Sequence, residues 1–186
     1  MNVIPTEIEG LVIIEPKVFG DDRGFFMESW NKRTFAEHGL EIEFDQDNHS
    51  RSARGVLRGL HYQQPNGQGK LVRVVSGRAW DVAVDLRAGS PTYGKWAGVE
   101  LSGENKRMFW VPPGFAHGFV SLEDGTDFLY KCSGFYDPSC EHSLMWNDPA
   151  VGIEWPLEGI EPQLSAKDKL GKALHEVEPI VCGTSA

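Results

Sequence analysis

Val56-Leu57-Arg58-Gly59-Leu60-His61-Tyr62-Gln63 and the following Lys70-Leu71-Val72-Arg73-Val74 read as two strands of a buried sheet, yet they carry one histidine and three cations. Charged side chains are rarely buried without a partner, so cations on apolar strands predict an anionic ligand held inside a barrel or sandwich. The imidazole of His61 can take and return a proton near neutral pH. Together the two segments predict an enzyme that binds a phosphorylated substrate and moves protons. Taken singly, His61 also reads as a packing residue, and Arg58, Lys70 and Arg73 as solvated strand edges. Gly55, Gly59 and Gly69, crowded around them, are not what a solvent-facing edge requires. Strict alternation sets Arg58 and His61 on opposite faces. A bulge at Gly59 would add a residue and return both to one side.

Outward from this pair, the period of the chain is mostly two. Trp80, Val82, Val84 and Leu86 share one face of a strand that ends at the Gly89-Ser90-Pro91 turn. Leu11-Val12-Ile13-Ile14 leads, past Pro16, to the Asp21-Asp22-Arg23-Gly24 turn and then to Phe25-Phe26-Met27-Glu28. Further strands are predicted at 98–101, 108–111, 117–122 and 128–132, each bounded by Gly, Pro, Asn or Asp. Many short strands with Pro- and Gly-rich turns predict an all-β antiparallel sandwich or barrel. Two short helices are predicted, one capped by Asn31 with Gly39 just past its end, the other capped by Ser165. No repeat, low-complexity tract or linker divides the chain. One domain over residues 1–186 is expected, with a loosely patterned tail from about 177.

Composition sets further bounds. Hydrophobic residues at 40%, with six tryptophans, argue against disorder. Eighteen basic residues against 27 acidic ones give a net charge of −9, which argues against nucleic acid or an anionic membrane as partner. Arginines gathered at a few places in an acidic chain suggest a small anion met locally. No apolar stretch resembles a signal core or approaches the length of a membrane span. Cys132, Cys140 and Cys182 are an odd number without metal-ligand spacing, which predicts reduced thiols and a cytoplasmic protein.

Several chemistries are set aside. Gly20 to Gly24 lacks the strand–helix setting of a phosphate loop, and neither a P-loop nor a nucleophile elbow occurs. The histidines, His38, His49, His61, His117, His142 and His175, never fall two or four apart. A jelly-roll metal site places two histidines one residue apart with a carboxylate nearby, whereas Tyr62-Gln63 follows His61 here. No catalytic metal and no cofactor is expected.

Blocks spread over most of the chain carry a resemblance. They are Asp22-Arg23-Gly24-Phe25-Phe26-Met27-Glu28, Gln46-Asp47-Asn48-His49-Ser50, Gly55 to Gln63, Asp81-Val82-Ala83-Val84-Asp85-Leu86-Arg87, Pro113-Gly114-Phe115-Ala116-His117-Gly118-Phe119, Trp146-Asn147-Asp148-Pro149 and Leu164-Ser165-Ala166-Lys167-Asp168. In this order they resemble the dTDP-4-dehydrorhamnose 3,5-epimerase family of cupin-like jelly-roll epimerases. Only the C-terminal tail falls outside the likeness.

The resemblance implies a jelly roll, an isomerase, and a thymidine-diphosphate sugar with a ketone at carbon 4 as substrate. That sugar would be dTDP-4-dehydro-6-deoxy-D-glucose, inverted at carbons 3 and 5 to dTDP-4-dehydro-L-rhamnose. The ketone acidifies the protons on both carbons, since either departure gives an enolate. Inversion needs a base on one face, an acid on the other, and a cation or donor for the enolate oxygen. By resemblance His61 is the base, Asp168 accepts its other ring N–H, Lys70 steadies the enolate, and Tyr130 delivers the proton from the opposite face. Arg58, with Lys167 nearby, suits the diphosphate, whose oxygens match arginine's planar fork. Tyr136 matches a stacking partner of the substrate, His117 and Glu141 match contacts to it, and Gln46-Asp47-Asn48 would supply polar groups for sugar and nucleoside. Arg23, Phe26 and Glu28 resemble the family's nucleotide contacts, which there come from the partner subunit. Phe26 would stack on the base and Glu28 accept from its imide. The resemblance therefore implies a homodimer with shared sites.

Each assignment has a plainer reading beside it. Asp168, three residues after Ser165, also fits a helix-capping pair. Tyr130 alternates with Phe128 and Cys132 as a buried strand face does. His117, after a Pro-Pro-Gly turn, also reads as structural, and Glu28 and Glu141 as exposed acids. Two rival functions stand as well: a single-carbon epimerase or ketoisomerase on the same fold, and a non-catalytic nucleotide-sugar binding domain. Binding alone gives no reason for His61, Lys70 and Tyr130 together.

Overall fold

Alternating side chains between turn residues form strands along most of the chain. The computed structural model describes residues 1–181. Its strands are β1 (Asn2–Pro5), β2 (Val12–Glu15), β3 (Val18–Asp21), β4 (Gly24–Met27), β5 (Gln46–Ser52), β6 (Leu57–Gln63), β7 (Lys70–Ser76), β8 (Arg78–Asp85), β9 (Trp96–Ser102), β10 (Met108–Val111), β11 (Phe115–Ser121), β12 (Thr126–Cys132) and β13 (Glu141–Ser143). One short helix, α1 (Lys32–Ala36), follows β4. A six-stranded sheet runs β1-β2-β10-β7-β12-β5 and a five-stranded sheet runs β13-β6-β11-β8-β9. Pairing is antiparallel throughout both, the sandwich the turn-rich alternation predicts. β3 and β4 pair with each other as a separate hairpin, with Phe25 and Phe26 60% and 66% exposed.

The core fills part of the space between the two sheets. Val72, Val74, Phe109, Val111 and Phe128 of one sheet meet Ala79, Ala83, Val99, Leu101, Phe115 and Phe119 of the other. Phe119 and Phe128 stack across the gap, ring centroids 3.9 Å apart and planes within 5°. Burying one such side chain stabilises by roughly 1.5–3 kcal/mol. β8 is covered on both sides, because Trp80, Val82 and Val84, with Leu86 just beyond, turn outward onto Leu144, Val151, Val177 and Ile180. The outer face of the six-stranded sheet is covered by Phe35 and Ile42 on Ile14, Leu71, Met108 and Trp110.

α1 starts where its cap predicts: the Asn31 side chain accepts from the N–H groups of Arg33 and Thr34 at 3.1 and 3.4 Å. Gly39, at φ +79°, takes the chain out of the turn. The second predicted helix is corrected. Only a three-residue 3-10 turn forms, Asp168–Leu170, with Lys167 rather than Ser165 at its cap position. Leu170 is 80% exposed, so the segment has no apolar face to bury and nothing extends it. A further 3-10 turn covers Leu174–Glu176. Beyond it the chain docks along the end of β8: the Ile180 N–H donates to Leu86 O at 2.7 Å, and the Ala88 N–H donates to Ile180 O at 2.8 Å. Cys132 and Cys140 are free and buried, and Cys182 lies outside the described residues. Among the described residues no helix is long and apolar enough to cross a membrane.

Candidate active site

β6 and β11 pair with a slip. His61 stands opposite His117 and Arg58 opposite Phe119, so a three-residue step on β6 spans a two-residue step on β11. The extra residue is the bulge expected at Gly59, and it turns Arg58 and His61 to one face. Only glycine fits there: φ is +129°, and a Cβ would stand 2.6 Å from Gly118 Cα.

That face opens on a cavity of about 450 Å³ between the sheets. Arg58, His61 and Gln63 of β6, His117 of β11 and Glu141 of β13 line it from the five-stranded sheet. Gln46, Asn48 and Ser50 of β5, Lys70 of β7 and Tyr130 of β12 face them from the six-stranded sheet. Tyr136, Ser165, Lys167 and Asp168 close it from connecting segments.

Asp168 bonds to both His61 and Ser165. Its Oδ1 lies 2.6 Å from His61 Nε2, while its Oδ2 accepts from the Ser165 hydroxyl at 2.7 Å and its N–H donates back at 3.1 Å. Burial works to raise its pKa, but the bonds from His61 and Ser165 outweigh it and hold the carboxyl below the ordinary range. With Nε2 committed, Nδ1 is the ring nitrogen left for a ligand. On the facing wall, the Tyr130 hydroxyl has no hydrogen-bond partner among the described residues. Burial pushes its pKa up, so it is a protonated phenol at neutral pH.

Lys70 likewise makes no ion pair or side-chain hydrogen bond among the described residues, and burial pushes its pKa down. The carboxylates around the cavity already have partners. Asp168 faces His61, and Glu141 holds Lys167 and accepts from the Tyr136 hydroxyl at 2.6 Å. Arg58 is held along one edge only, Nε donating to Ser52 Oγ at 3.1 Å and Nη2 to Arg51 O at 3.4 Å. Neither Arg58 nor Lys70 forms an ion pair among the described residues, in a chain of net charge −9, and the more distant Asp81 and Glu141 only partly offset the burial of the Lys70 ammonium. His117 is tied from behind, its Nε2 lying 2.9 and 3.0 Å from the oxygens of the fully buried Asp81. Burial raises the Asp81 pKa against the opposing pull of His117.

Of the residues singled out from sequence, His61, Lys70, Tyr130, Asp168, Arg58, Gln46, Asn48, His117, Tyr136, Glu141 and Lys167 meet at this cavity. The rest do not. Alternation turns Asp47 to the opposite face of β5, where it pairs with Lys131 at 2.8 Å, so of the Gln46-Asp47-Asn48 segment Gln46 and Asn48 line this cavity. Arg23 sits on the β3–β4 turn, paired with Asp21 at 2.5 Å, and Glu28 accepts from Asn31 at 2.7 Å. Neither they nor Phe26 line the cavity of their own chain. Gln63 and Ser50 escaped the sequence reading. Alternation signals both, since Gln63 lies two beyond His61 and Ser50 two beyond Asn48; the Ser50 hydroxyl is buried without a partner. Among the described residues no group of three or more His, Cys, Asp or Glu side chains is arranged to hold a metal ion.

A histidine–carboxylate pair facing a protonated phenol across a cationic cavity defines an acid–base enzyme with room for an anion. A family model described as dTDP-4-dehydrorhamnose 3,5-epimerase matches residues 5–176. The dTDP-4-dehydrorhamnose 3,5-epimerase of Salmonella typhimurium strain LT2 is 56% identical over 178 residues, 95% of this chain and 97% of that protein. That of Shigella flexneri is 58% identical over 180 residues, 96% of this chain and 98% of that protein. The crystal structure of dTDP-6-deoxy-D-glucose-3,5-epimerase from Legionella pneumophila Philadelphia 1, in complex with dTDP-4-keto-L-rhamnose, matches with a TM-score of 0.91 at 55% identity, covering 95% of this chain and 94% of that one. The chain belongs to the dTDP-4-dehydrorhamnose 3,5-epimerase family, and its sandwich is the cupin-like jelly roll of these isomerases.

Proposed function

We propose that the protein inverts carbons 3 and 5 of dTDP-4-dehydro-6-deoxy-D-glucose to give dTDP-4-dehydro-L-rhamnose. The observation that carries this reading is the placement of the His61–Asp168 pair and Tyr130 on facing walls, with the unpartnered Lys70 in the same cavity. His61 Nδ1 takes the proton from the carbon beside the ketone, and the electron pair left behind forms the C=C bond while the carbonyl electrons move to oxygen 4. Lys70 donates to that enolate oxygen. Tyr130 then gives its hydroxyl proton to the same carbon from the other side, and solvent restores both residues. Asp168 holds the imidazole in one tautomer and steadies the imidazolium. Arg58 and Lys167 take the diphosphate, Tyr136 stacks on the nucleotide part of the substrate, and His117, Glu141, Gln46 and Asn48 contact the sugar and nucleoside.

The site is completed by a second copy. Phe25 and Phe26 stand exposed on a hairpin that needs cover on both faces, and crossing strands would supply that cover. Arg23, Phe26 and Glu28 would then reach the neighbour's nucleotide. Mixing a Glu28→Ala protein with a His61→Asn protein, under conditions shown to exchange subunits, is expected to restore activity in hybrid dimers. Failure there would place each whole site in one chain. The free Cys132 and Cys140 suit a cytoplasmic enzyme.

The direct test is NMR of the keto-sugar nucleotide with the protein in heavy water. Deuterium is expected at carbons 3 and 5 of an inverted product, whereas a binding module would leave both protons in place. In Tyr130→Phe, wash-in persists at one or both positions because His61 still removes and returns protons on its own face, but inversion fails, most clearly at carbon 5. A normal yield of doubly inverted product from this variant would remove Tyr130 from the mechanism.

A further inference from the structure

Where a jelly-roll metal site sets its second histidine, two residues beyond the first, this chain has Gln63. Alternation puts it on the His61 face, at the wall of the same cavity. Only 6% of Gln63 is exposed, and its amide is fully engaged. Nε2 donates to Asn66 O at 2.8 Å and to Phe135 O at 3.3 Å, and Oε1 accepts from the Asp137 N–H at 2.9 Å. From the facing sheet, Gln46 Oε1 accepts from the Tyr136 N–H at 3.0 Å. The peptide groups around Tyr136 are therefore gripped by two side-chain amides, one from each sheet. At its far end the Tyr136 ring is tied to Glu141 through the hydroxyl.

We propose that Gln63 is a positioning residue whose amide fastens the Phe135–Asp137 segment to the His61 strand and so sets Tyr136 where the nucleotide binds. The proposal rests on the nucleotide reading of Tyr136 given above. Both Gln63 N–H groups are committed to backbone carbonyls, so neither is available to the sugar. Its effect therefore falls on binding rather than on proton transfer. A buried amide with its donors satisfied also admits one arrangement of the segment it holds, because any other leaves polar groups unpaired.

Gln63→Met keeps the length of the side chain and removes its hydrogen bonds; Gln63→Glu keeps the acceptor for Asp137 and loses both donors. In the methionine variant the Kd for thymidine diphosphate, by calorimetry, and the KM for the keto-sugar nucleotide are expected to rise roughly 5- to 50-fold. kcat should stay within about threefold, the pattern of lost uniform binding. The glutamate variant should fall between this and the parent, and it carries the test should the methionine variant not fold. Amide exchange should quicken at residues 134–138 and not in β8. Tyr136→Ala should weaken binding much less in the Gln63→Met background than alone, as expected of two residues acting through one arrangement. An unchanged Kd, full additivity with Tyr136→Ala, or a kcat loss at unchanged KM would each overturn the proposal. Normal binding by Tyr136→Ala alone overturns instead the nucleotide reading beneath it, a failure recognisable because Gln63 is intact.

Discussion

Replacing His61 with asparagine is expected to abolish deuterium wash-in at both carbons and to lower turnover about 100- to 10,000-fold, the usual contribution of a general base. One residue serves both positions because it stands on one wall while the acid stands on the other. Asparagine ends where Nδ1 stood and falls short of Asp168, whose Oδ1 meets Nε2 at 2.6 Å; Asp168 keeps its bond from the Ser165 hydroxyl, so a folded protein that still binds thymidine diphosphate is expected. A turnover loss below tenfold would remove His61 from the role. The partner carboxyl sets the acid limit of the arrangement. Asp168 is held below the ordinary carboxylate range in the folded chain. Its stabilising contribution is therefore present above its unfolded pKa, near 3.9, and is lost as pH falls through the lower folded value. Asp168→Asn should flatten stability against pH in that acid window.

Lys70→Met should lower turnover about 100- to 1,000-fold, the cost of losing one preorganised donor to a developing oxyanion. Thymidine diphosphate should still bind, since Arg58 and Lys167 remain. The same variant is expected to be as stable as the parent or more so at neutral pH, measured by Tm. The direction follows from burial, which pushes the ammonium's pKa down more than the opposing pull of Cys132, Asp81 and Glu141 raises it, none of them paired with it directly. A lysine depressed in the folded state costs stability at pH values below that folded pKa. The cost shrinks as pH rises towards the unfolded value, near 10.4. The parent should accordingly gain stability relative to Lys70→Met on raising the pH through this range. A variant that keeps parental turnover would sink the enolate role, and a marked fall in Tm would show that the cation is structural.

Much of this was legible in the chain, for reasons that differ by element. The sequence predicts β10 at its observed bounds because Met108-Phe109-Trp110-Val111 is apolar on both faces and sits between turn residues. β8 is legible from Trp80, Val82 and Val84, which share the outer cluster. β5 carries no strand signal in the sequence. Its inner residues Gln46, Asn48 and Ser50 line a cavity rather than a core, and its outer residues Asp47 and Arg51 form ion pairs with Lys131 and Asp127, so no hydrophobic alternation survives. At the site, Arg58, His61 and Lys70 stood out because charge on apolar strands is anomalous. Gln63 beside them carries no such signal, because its partners, such as Asp137, lie far along the chain in a turn whose placement no local pattern encodes.

The stacked rings of Phe119 and Phe128 have a consequence for substrate range. They belong to opposite sheets and also line the cavity, so the thickness of that ring pair gauges how far apart His61 and Tyr130 are held. Sheets packed on such spacers settle near 10 Å apart, and thinner spacers draw them closer. The sugar must fit this gap with one face to the imidazole and the other to the phenol. Selection for a wider or narrower sugar ring would therefore act first on two phenylalanines that never meet a proton, and core volume would evolve as a catalytic dimension.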